Sequence, residues 1–587
     1  MGSGALSNRW WIVAVLAVEA ALLPWNAHAY DVAAFLSHAE RVYFGHVPPA
    51  ALWPFGSISL AALLLSQLPI LVFPQLWGVL PLRIFLLKLP AWLADVGSAA
   101  IVAASASQRS DAGVWALRYL IDPAVIFVTI LHGQNDALAN VFAVGGIALT
   151  IGGRYEFAGL ALGLGAGTKF YPAAFVPLLV AVAYRNGSFT RALRAFATFA
   201  VAAALTLIPV LLGRAGSVFA AYRNNSFGPQ GNAVSPASVW ALLPHHGAVP
   251  ALPAIEQLLA VAVPVVLAIA ELRHVSGKSD IARAAMVSAM AIVLLNPGVH
   301  PPFYLWIAGP LVLYAAVTSD WFVSLAGLAL SCAGAASQFC QEGSDEYFLL
   351  NFSAAPHVGA LRCVAPPVAL QTVALCSAAL IVLAAYRRVP ALTSAAGRWR
   401  GIARTASAAV FIAFTAAIAI ETASAATRSN GNGYAGEERA VNTFAIDPLV
   451  RAEGTGCRLT YPAEDIVVYA GNAFAARFAT ASLGYTLYSP VIVTVRGRRL
   501  PLDRYPSQYE NVDVRTVGQQ TVRITREFDL SAALRPYRDV ESFVELPCSL
   551  IANNPLLIYR FDIAAAQAAA AVTPLSKRLE ILARGGQ

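Results

Sequence analysis

This sequence has little charge for its length. Only 12% of its 587 residues are Asp, Glu, Lys or Arg, against 58% hydrophobic, which excludes an ordinary soluble enzyme whose charged surface wraps one core. Cysteine is scarce as well. The six present include no C-x-x-C pair and no His/Cys cluster at zinc spacing, so a structural metal is not expected. The chain also shows no clear internal repeat, a common mark of secondary transporters.

What it has is apolar length. Mean hydropathy is +0.62, and apolar stretches that approach or exceed a ~20-residue bilayer crossing recur from Trp10 to about Ala425. The fold class predicted is a polytopic α-helical membrane protein. The net charge of +8 belongs largely to the loops between apolar runs, which makes it a topology signal before it is a sign of nucleic acid or anionic lipid.

Arg9 followed by an apolar run reads as a signal anchor. The alternative, cleavage at "NAHAYD", would strip the helix that leads into Asp31. With Arg9 cytoplasmic, helix one (about 10–28) exits outward, and the apolar stretch 57–73 is read as an interfacial or re-entrant helix rather than a span. Further helices are predicted at 82–104, 113–131, 136–151, 157–168, 171–184, 195–213, 251–271, 281–295, 303–317, 320–337, 366–386 and 405–424. That is a bundle of about 13 crossings. Its parity puts Arg185, Arg191, Arg194, Arg387, Arg388, Arg398, Arg400 and Arg404 inside, as the positive-inside rule requires.

The same parity puts the loop 338–365 outside, together with everything after about residue 427. Residues 428–587 carry short β-rich runs such as "DIVVYA" and "PVIVTVRG", separated by Gly, Pro and Asn turns. A β-sandwich-like extracytoplasmic domain with a binding or scaffolding role is predicted there. Cys340 with Cys363, and Cys457 with Cys548, would then share an oxidising compartment and could pair, while Cys332 and Cys376 stay in helices as packing residues.

Polar residues converge on the outer face. Asp31 follows helix one, where it also reads as a solvated cap. Arg83 and Lys88 lie in the outer third of helix 82–104, and Asp95 lies near mid-membrane, where it needs a partner in the bundle or a substrate to position. The outer hairpin "LHGQNDALAN" brings His132, Gln134, Asn135 and Asp136. "GAGTKFYPAA" puts Lys169 at the junction of two helices too short to span, either as an anion ligand or snorkelling to headgroups. Arg223 lies in the outer loop 214–250, and "NPGVHPPFYLW" brings His300 and Tyr304 to the same side. Of nine histidines, only His274 falls on the cytoplasmic side. Carboxylates, cations and neutral donors together suit a reaction in which a base activates a hydroxyl while cations hold a phosphate leaving group. They do not suit a single-sign ion pore.

Five segments in order carry a family resemblance: "AYDVAAF" with "GHVPP", "KLPAWLADVGSA", "HGQNDALANVFAVGGIAL", "AGLALGLGAGTKFYPAAFVPLLV" and "NPGVHPPFYLW". Over about residues 10–320 the chain resembles the polyprenyl-phosphate-sugar-dependent glycosyltransferases of the GT-C fold. It looks like the bacterial relatives of the GPI and lipid mannosyltransferases, and like mycobacterial-type mannosyl- and arabinosyltransferases. The resemblance implies a GT-C module at about 10–215, with more variable helices at about 216–427.

It further implies that Asp31 is the outer-face base acting on an acceptor hydroxyl, with inversion at the anomeric carbon. Lys169 and His300, with Lys88 or Arg223, would neutralise the donor phosphate. His132, Gln134, Asn135, Asp136, Asp95 and Tyr171 would bind substrate or hold the base. The sequence departs from several relatives in lacking an Asp-x-Asp or Asp-Glu pair in the first outer loop, so metal-independent catalysis without a cofactor is expected. Two other readings stay open: a lipid-linked sugar flippase or proton-coupled exporter, which predicts polar residues on both sides and repeats, and an oligosaccharide ligase or polymerase using the same lipid class.

Overall fold

The computed structural model describes residues 3–26, 55–73, 80–226, 277–296, 301–341, 367–387 and 396–429, isolated positions between these, and strands within 450–547. The helices, in chain order, are α1 (Ser3–Leu22), α2 (Ser57–Val72), α3 (Leu80–Ser105), α4 (Ala112–Leu120), α5 (Asp136–Ile151), α6 (Tyr155–Ala166), α7 (Val176–Asn186) and α8 (Phe189–Ser226). They continue with α9 (Lys278–Leu294), α10 (Tyr304–Thr318), α11 (Trp321–Gln341), α12 (Pro367–Arg387) and α13 (Ala396–Ser429). Most fall where apolar runs end in Gly, Pro or Asn, and α5 has the bounds the sequence predicts. The predicted helix 251–271 lies almost wholly outside the described residues.

Among the described residues, four helices are long and apolar enough to cross a membrane, within α3, α8, α12 and α13. A fifth crossing is reached if Arg109–Leu120 and Pro123–His132, bent by 44°, count as one. Length alone therefore does not reach the expected count of about 13. One of the helices below that length, α10, is buried at every residue from Tyr304 to Ala316. A helix enclosed in that way has no need to match the bilayer thickness.

The predicted single helix 113–131 is broken, and its sequence explains why. Proline disfavours helical geometry at the preceding residue, and Asp122 is extended (ψ 131°) just before Pro123. The Asp122 carboxylate caps the new turn by accepting from the Ala124 amide at 3.0 Å. It also accepts from Arg118 at 2.7 Å, and Arg118 in turn donates to Ser324 of α11. The chain then continues as a π-helix, Ile126–His132.

Contacts at the two ends of the bundle separate its chemistry. One end gathers the start of α3, the hairpin 132–136, the end of α6 and the start of α10. At the other, the amide of Ser107 donates to the carbonyl of Ala316 and Arg400 pairs with Asp111 at 2.6 Å. Arg185, Arg191 and Arg194 lie at that second end too, where α7 stops and α8 begins. The short helix α2 belongs to the first end. Its N-terminus donates from Gly56 and Ile58 to the carbonyls of Thr168 and Gly167, and Gln67 donates to the Arg83 carbonyl. It packs beside the first turns of α3.

Helices α6 and α8 pack through "AGLALGLGAG", whose glycines recur every four residues and present bare backbone to the neighbour. A Cβ at Gly159 would lie 2.1 Å from the Ala195 carbonyl oxygen, and one at Gly163 would lie 2.6 Å from that of Phe199. Gly163→Leu is therefore expected to cost about 1–3 kcal/mol by overpacking, read as a lower unfolding temperature of the purified protein in detergent. Leu160→Ala, at an exposed position of the same helix, should leave that temperature nearly unchanged.

Among the described residues between Val450 and Pro547, nine strands form one five-stranded and one four-stranded sheet, with antiparallel pairings throughout. The longest joins Ala473–Leu483 to Thr521–Asp529. Strand Val467–Tyr469 falls within "DIVVYA" and strand Ile492–Val495 within "PVIVTVRG". Neither predicted cysteine pair falls among the described side chains.

Candidate functional site

The site is built where the π-helix gives way to α5. Gly133 has φ 83°, a left-handed value that a side chain rarely adopts. Here the carbonyl of Val128 accepts from the amides of both Gly133 and Gln134. This turn delivers Gln134 and Asn135 to the bundle end and starts α5 at Asp136. The polar run that the sequence shows between two apolar stretches is thus a buried corner rather than a solvent loop.

Asp136 is the centre of that corner. Its side chain is 0% exposed and meets Lys169 at 2.6 Å, while Lys169 keeps 9% exposure. The other carboxylate oxygen accepts from the indole N–H of Trp306 at 2.7 Å. Lys169 also reaches the Gln134 side chain at 3.4 Å and lies 4.9 Å from the centre of the Phe55 ring. A charge pair removed from water is held only when its remaining valences are met, and here they are. Both side chains are buried, and what exposure the pair keeps belongs to Lys169.

Aromatic stacking fixes the indole. Trp306 lies between Tyr171, at 4.2 Å and 8°, and Phe303, at 3.9 Å and 20°. From Tyr171 a chain of hydrogen bonds runs into the core. The Tyr171 hydroxyl donates to Asn140 (3.0 Å), the Asn140 amide donates to the Tyr119 hydroxyl (2.8 Å), and that hydroxyl donates to Asp95 (2.8 Å). Thr129 donates to the second Asp95 oxygen at 2.5 Å. Asp95 thus has two side-chain partners within the bundle, and it stands at the end of this hydrogen-bond chain furthest from Tyr171.

The predicted site residues divide into three sets. Gln134, Asp136, Lys169 and Tyr171 come together directly, and Asp95 is tied to them through Asn140. His132 is buried with its ring edge-on to Phe127 (5.8 Å, 74°), and Asn135 is half-buried beside them. Lys88 is buried deeper, with its ammonium on the backbone carbonyls of Asn26 and Ile130. Asp31 and His300 lie outside the described residues, and Arg223 lies in α8 with its side chain outside them.

Sequence reasoning missed Trp306, Asn140, Tyr119 and Thr129. Trp306 closes the quoted segment "NPGVHPPFYLW", so its neighbourhood was visible. Nothing local marks Tyr119 or Asn140 as partners. Among the described residues, no three His, Cys, Asp or Glu side chains are grouped as metal ligands.

Residues 60–297 match the family model described as Glycosyltransferase family 87. The matched segment contains Lys88, Asp95, the 132–136 hairpin, Lys169 and Tyr171, and its likeness to a glycosyltransferase family agrees with the expectation of a glycosyltransferase over that part of the chain. No curated protein matches the sequence. Among solved structures, the chain is similar to the arabinosyltransferase EmbB from Mycobacterium smegmatis, with 12% identity and a TM-score of 0.36 over 92% of this chain. The chain spans 63% of the length of that protein.

Proposed function

We propose that this chain, whose residues 60–297 match a glycosyltransferase family 87 model, moves one sugar from a polyprenyl-phosphate donor to a lipid- or polymer-linked acceptor. The sugar is mannose or another hexose or pentose, and the reaction runs at the outer face of a bacterial inner membrane. The observation that carries this reading is the Asp136–Lys169–Trp306 corner at one end of the bundle, opposite the end that holds Arg185, Arg191, Arg194 and Arg400. By the positive-inside rule the arginine-rich end is cytoplasmic and the corner faces out.

The chemistry assigned is a single displacement. Asp31 takes the proton of the acceptor hydroxyl, whose oxygen bonds to the anomeric carbon as the bond from that carbon to the phosphate oxygen breaks. The leaving electron pair rests on the phosphate, and Lys169 supplies the compensating charge with His300 and Arg223. Asp136 and Trp306 keep the ammonium aimed. Attack from the face opposite the leaving phosphate inverts the anomeric centre. The strand region 450–547 is assigned to an extracytoplasmic β-sandwich that binds acceptor or a partner.

A flippase is the second reading, favoured by the buried polar pairs at the cytoplasmic end. Those pairs are already spent: Arg118–Asp122 caps a helix break and Arg400–Asp111 ties α13 to the turn before α4. The deciding measurement is transfer of radiolabel from polyprenyl-phosphate sugars by the purified full-length protein. Transfer is expected to persist in excess chelator, in line with metal-independent catalysis. A chelator-sensitive activity would overturn that part, and no transfer from any donor, with labelled lipid crossing proteoliposomes instead, would favour the flippase.

A further inference from the structure

Lys88 is fully buried and far from idle. Its ammonium donates to the backbone carbonyl of Asn26 and, at 2.5 Å, to that of Ile130. Among the described residues no carboxylate pairs with it, so an amine is kept in the interior on main-chain oxygens alone. Burying such a group without satisfying its donors is expensive, and the two carbonyls it uses are informative.

The first belongs to the residue just past the end of α1, five positions before Asp31. The second lies in the π-helix, two positions before His132 and six before Asp136. In a regular α-helix the Ile130 carbonyl would accept from the amide four residues on, that of Gln134. Here the Gln134 amide donates to Val128 instead, so the π-helix releases the Ile130 carbonyl and Lys88 takes it up.

Asn26 is clamped from a second direction. It is 0% exposed, and its side-chain oxygen lies 2.9 Å from the Thr422 hydroxyl, whose single proton it shares with the Ile418 carbonyl at 2.7 Å. Thr422 sits near the C-terminal end of α13, and Asn26 follows α1, some 396 positions away in the chain. Lys88 and Thr422 thus grip the backbone and the side chain of one buried residue.

A phosphate ligand needs a free N–H directed at substrate. Lys88 has no exposure and has committed two of its three donors, whereas Lys169 retains an accessible edge. We infer that Lys88, Asn26 and Thr422 form a staple that ties Asn26, at the end of the α1 region, to the π-helix leading into the 132–136 hairpin and indexes both to α13. Lys88 is then a positioning residue rather than a ligand to the donor phosphate. The inference rests on the assignment of Asp31 and the hairpin to the transferase site.

Its test compares Lys88→Met, Thr422→Val and Thr422→Ser in the full-length protein in detergent. Loss of one staple bond should speed backbone hydrogen exchange in peptides covering residues 20–31 by about two- to tenfold. It should lower kcat by about 10- to 100-fold, with the donor KM within about twofold, as expected when only positioning is lost. Thr422→Ser, which keeps the hydroxyl, should behave as wild type in both.

A Lys88→Met protein with unchanged exchange and a donor KM raised more than about tenfold would make Lys88 a phosphate ligand and overturn the staple. So would unchanged exchange in Thr422→Val, which keeps the test open if Lys88→Met does not fold. If the wild-type protein transfers no sugar, the proposed function fails, and the exchange comparison still decides the staple.

Discussion

Asp31→Asn is expected to lower kcat by about 10²–10⁴-fold, the range over which a positioned general base contributes. Asn keeps the size and one acceptor of Asp but cannot take the proton, so donor binding and the unfolding temperature should stay close to wild type. Asp136→Asn is expected to lose less. The Asp136 carboxylate is enclosed and already accepts from Lys169 and Trp306, which suits it to hold a cation rather than to approach a hydroxyl. Measured side by side with one labelled donor, equal or reversed losses would move the base from Asp31 to the hairpin.

Lys169→Met has the other large expected effect, and it acts on stability and turnover together. Removing the ammonium leaves a carboxylate with 0% exposure holding only the Trp306 indole N–H, and stripping one partner from a buried pair costs about 3–5 kcal/mol. In the double variant Lys169→Met/Asp136→Asn no charge is stranded, so about 1–2 kcal/mol of that loss should return, a non-additivity that contacting residues show. Transfer should fall by about 10²–10³-fold in both proteins, because the phosphate loses its nearest cation in each. Strictly additive unfolding shifts would mean that the two side chains do not form a buried pair, and near-normal turnover in Lys169→Met would remove the lysine from the site.

Much of the site was legible before any coordinates. The stretch His132 to Asp136 stood out because four polar residues between apolar runs need water, a partner or a substrate, and the structure makes them a buried corner. Lys169 stood out because it separates two helices too short to span, and the break at Gly167–Phe170 is where α6 ends and the turn Tyr171–Phe175 begins. The break at Asp122–Pro123 was equally readable from the dipeptide, yet the apolar run 113–131 was continuous enough to hide it. Its consequence, a π-helix that frees the Ile130 carbonyl, has no signature in composition.

The sequence by itself determined the class of protein, the positions of most helices and the end of the bundle where polar residues gather. Those properties follow from hydropathy, punctuation and the sign of loop charge, all of which are local. Only the tertiary structure decided the partners: Trp306 on Asp136 across 170 positions, Tyr119 on Asp95, and Lys88 on two backbone carbonyls. Pairing between helices depends on depth and on rotation about each axis, and a displacement of one residue turns a side chain by about 100°. Hydropathy cannot fix that angle in a helix that is apolar all round; packing does.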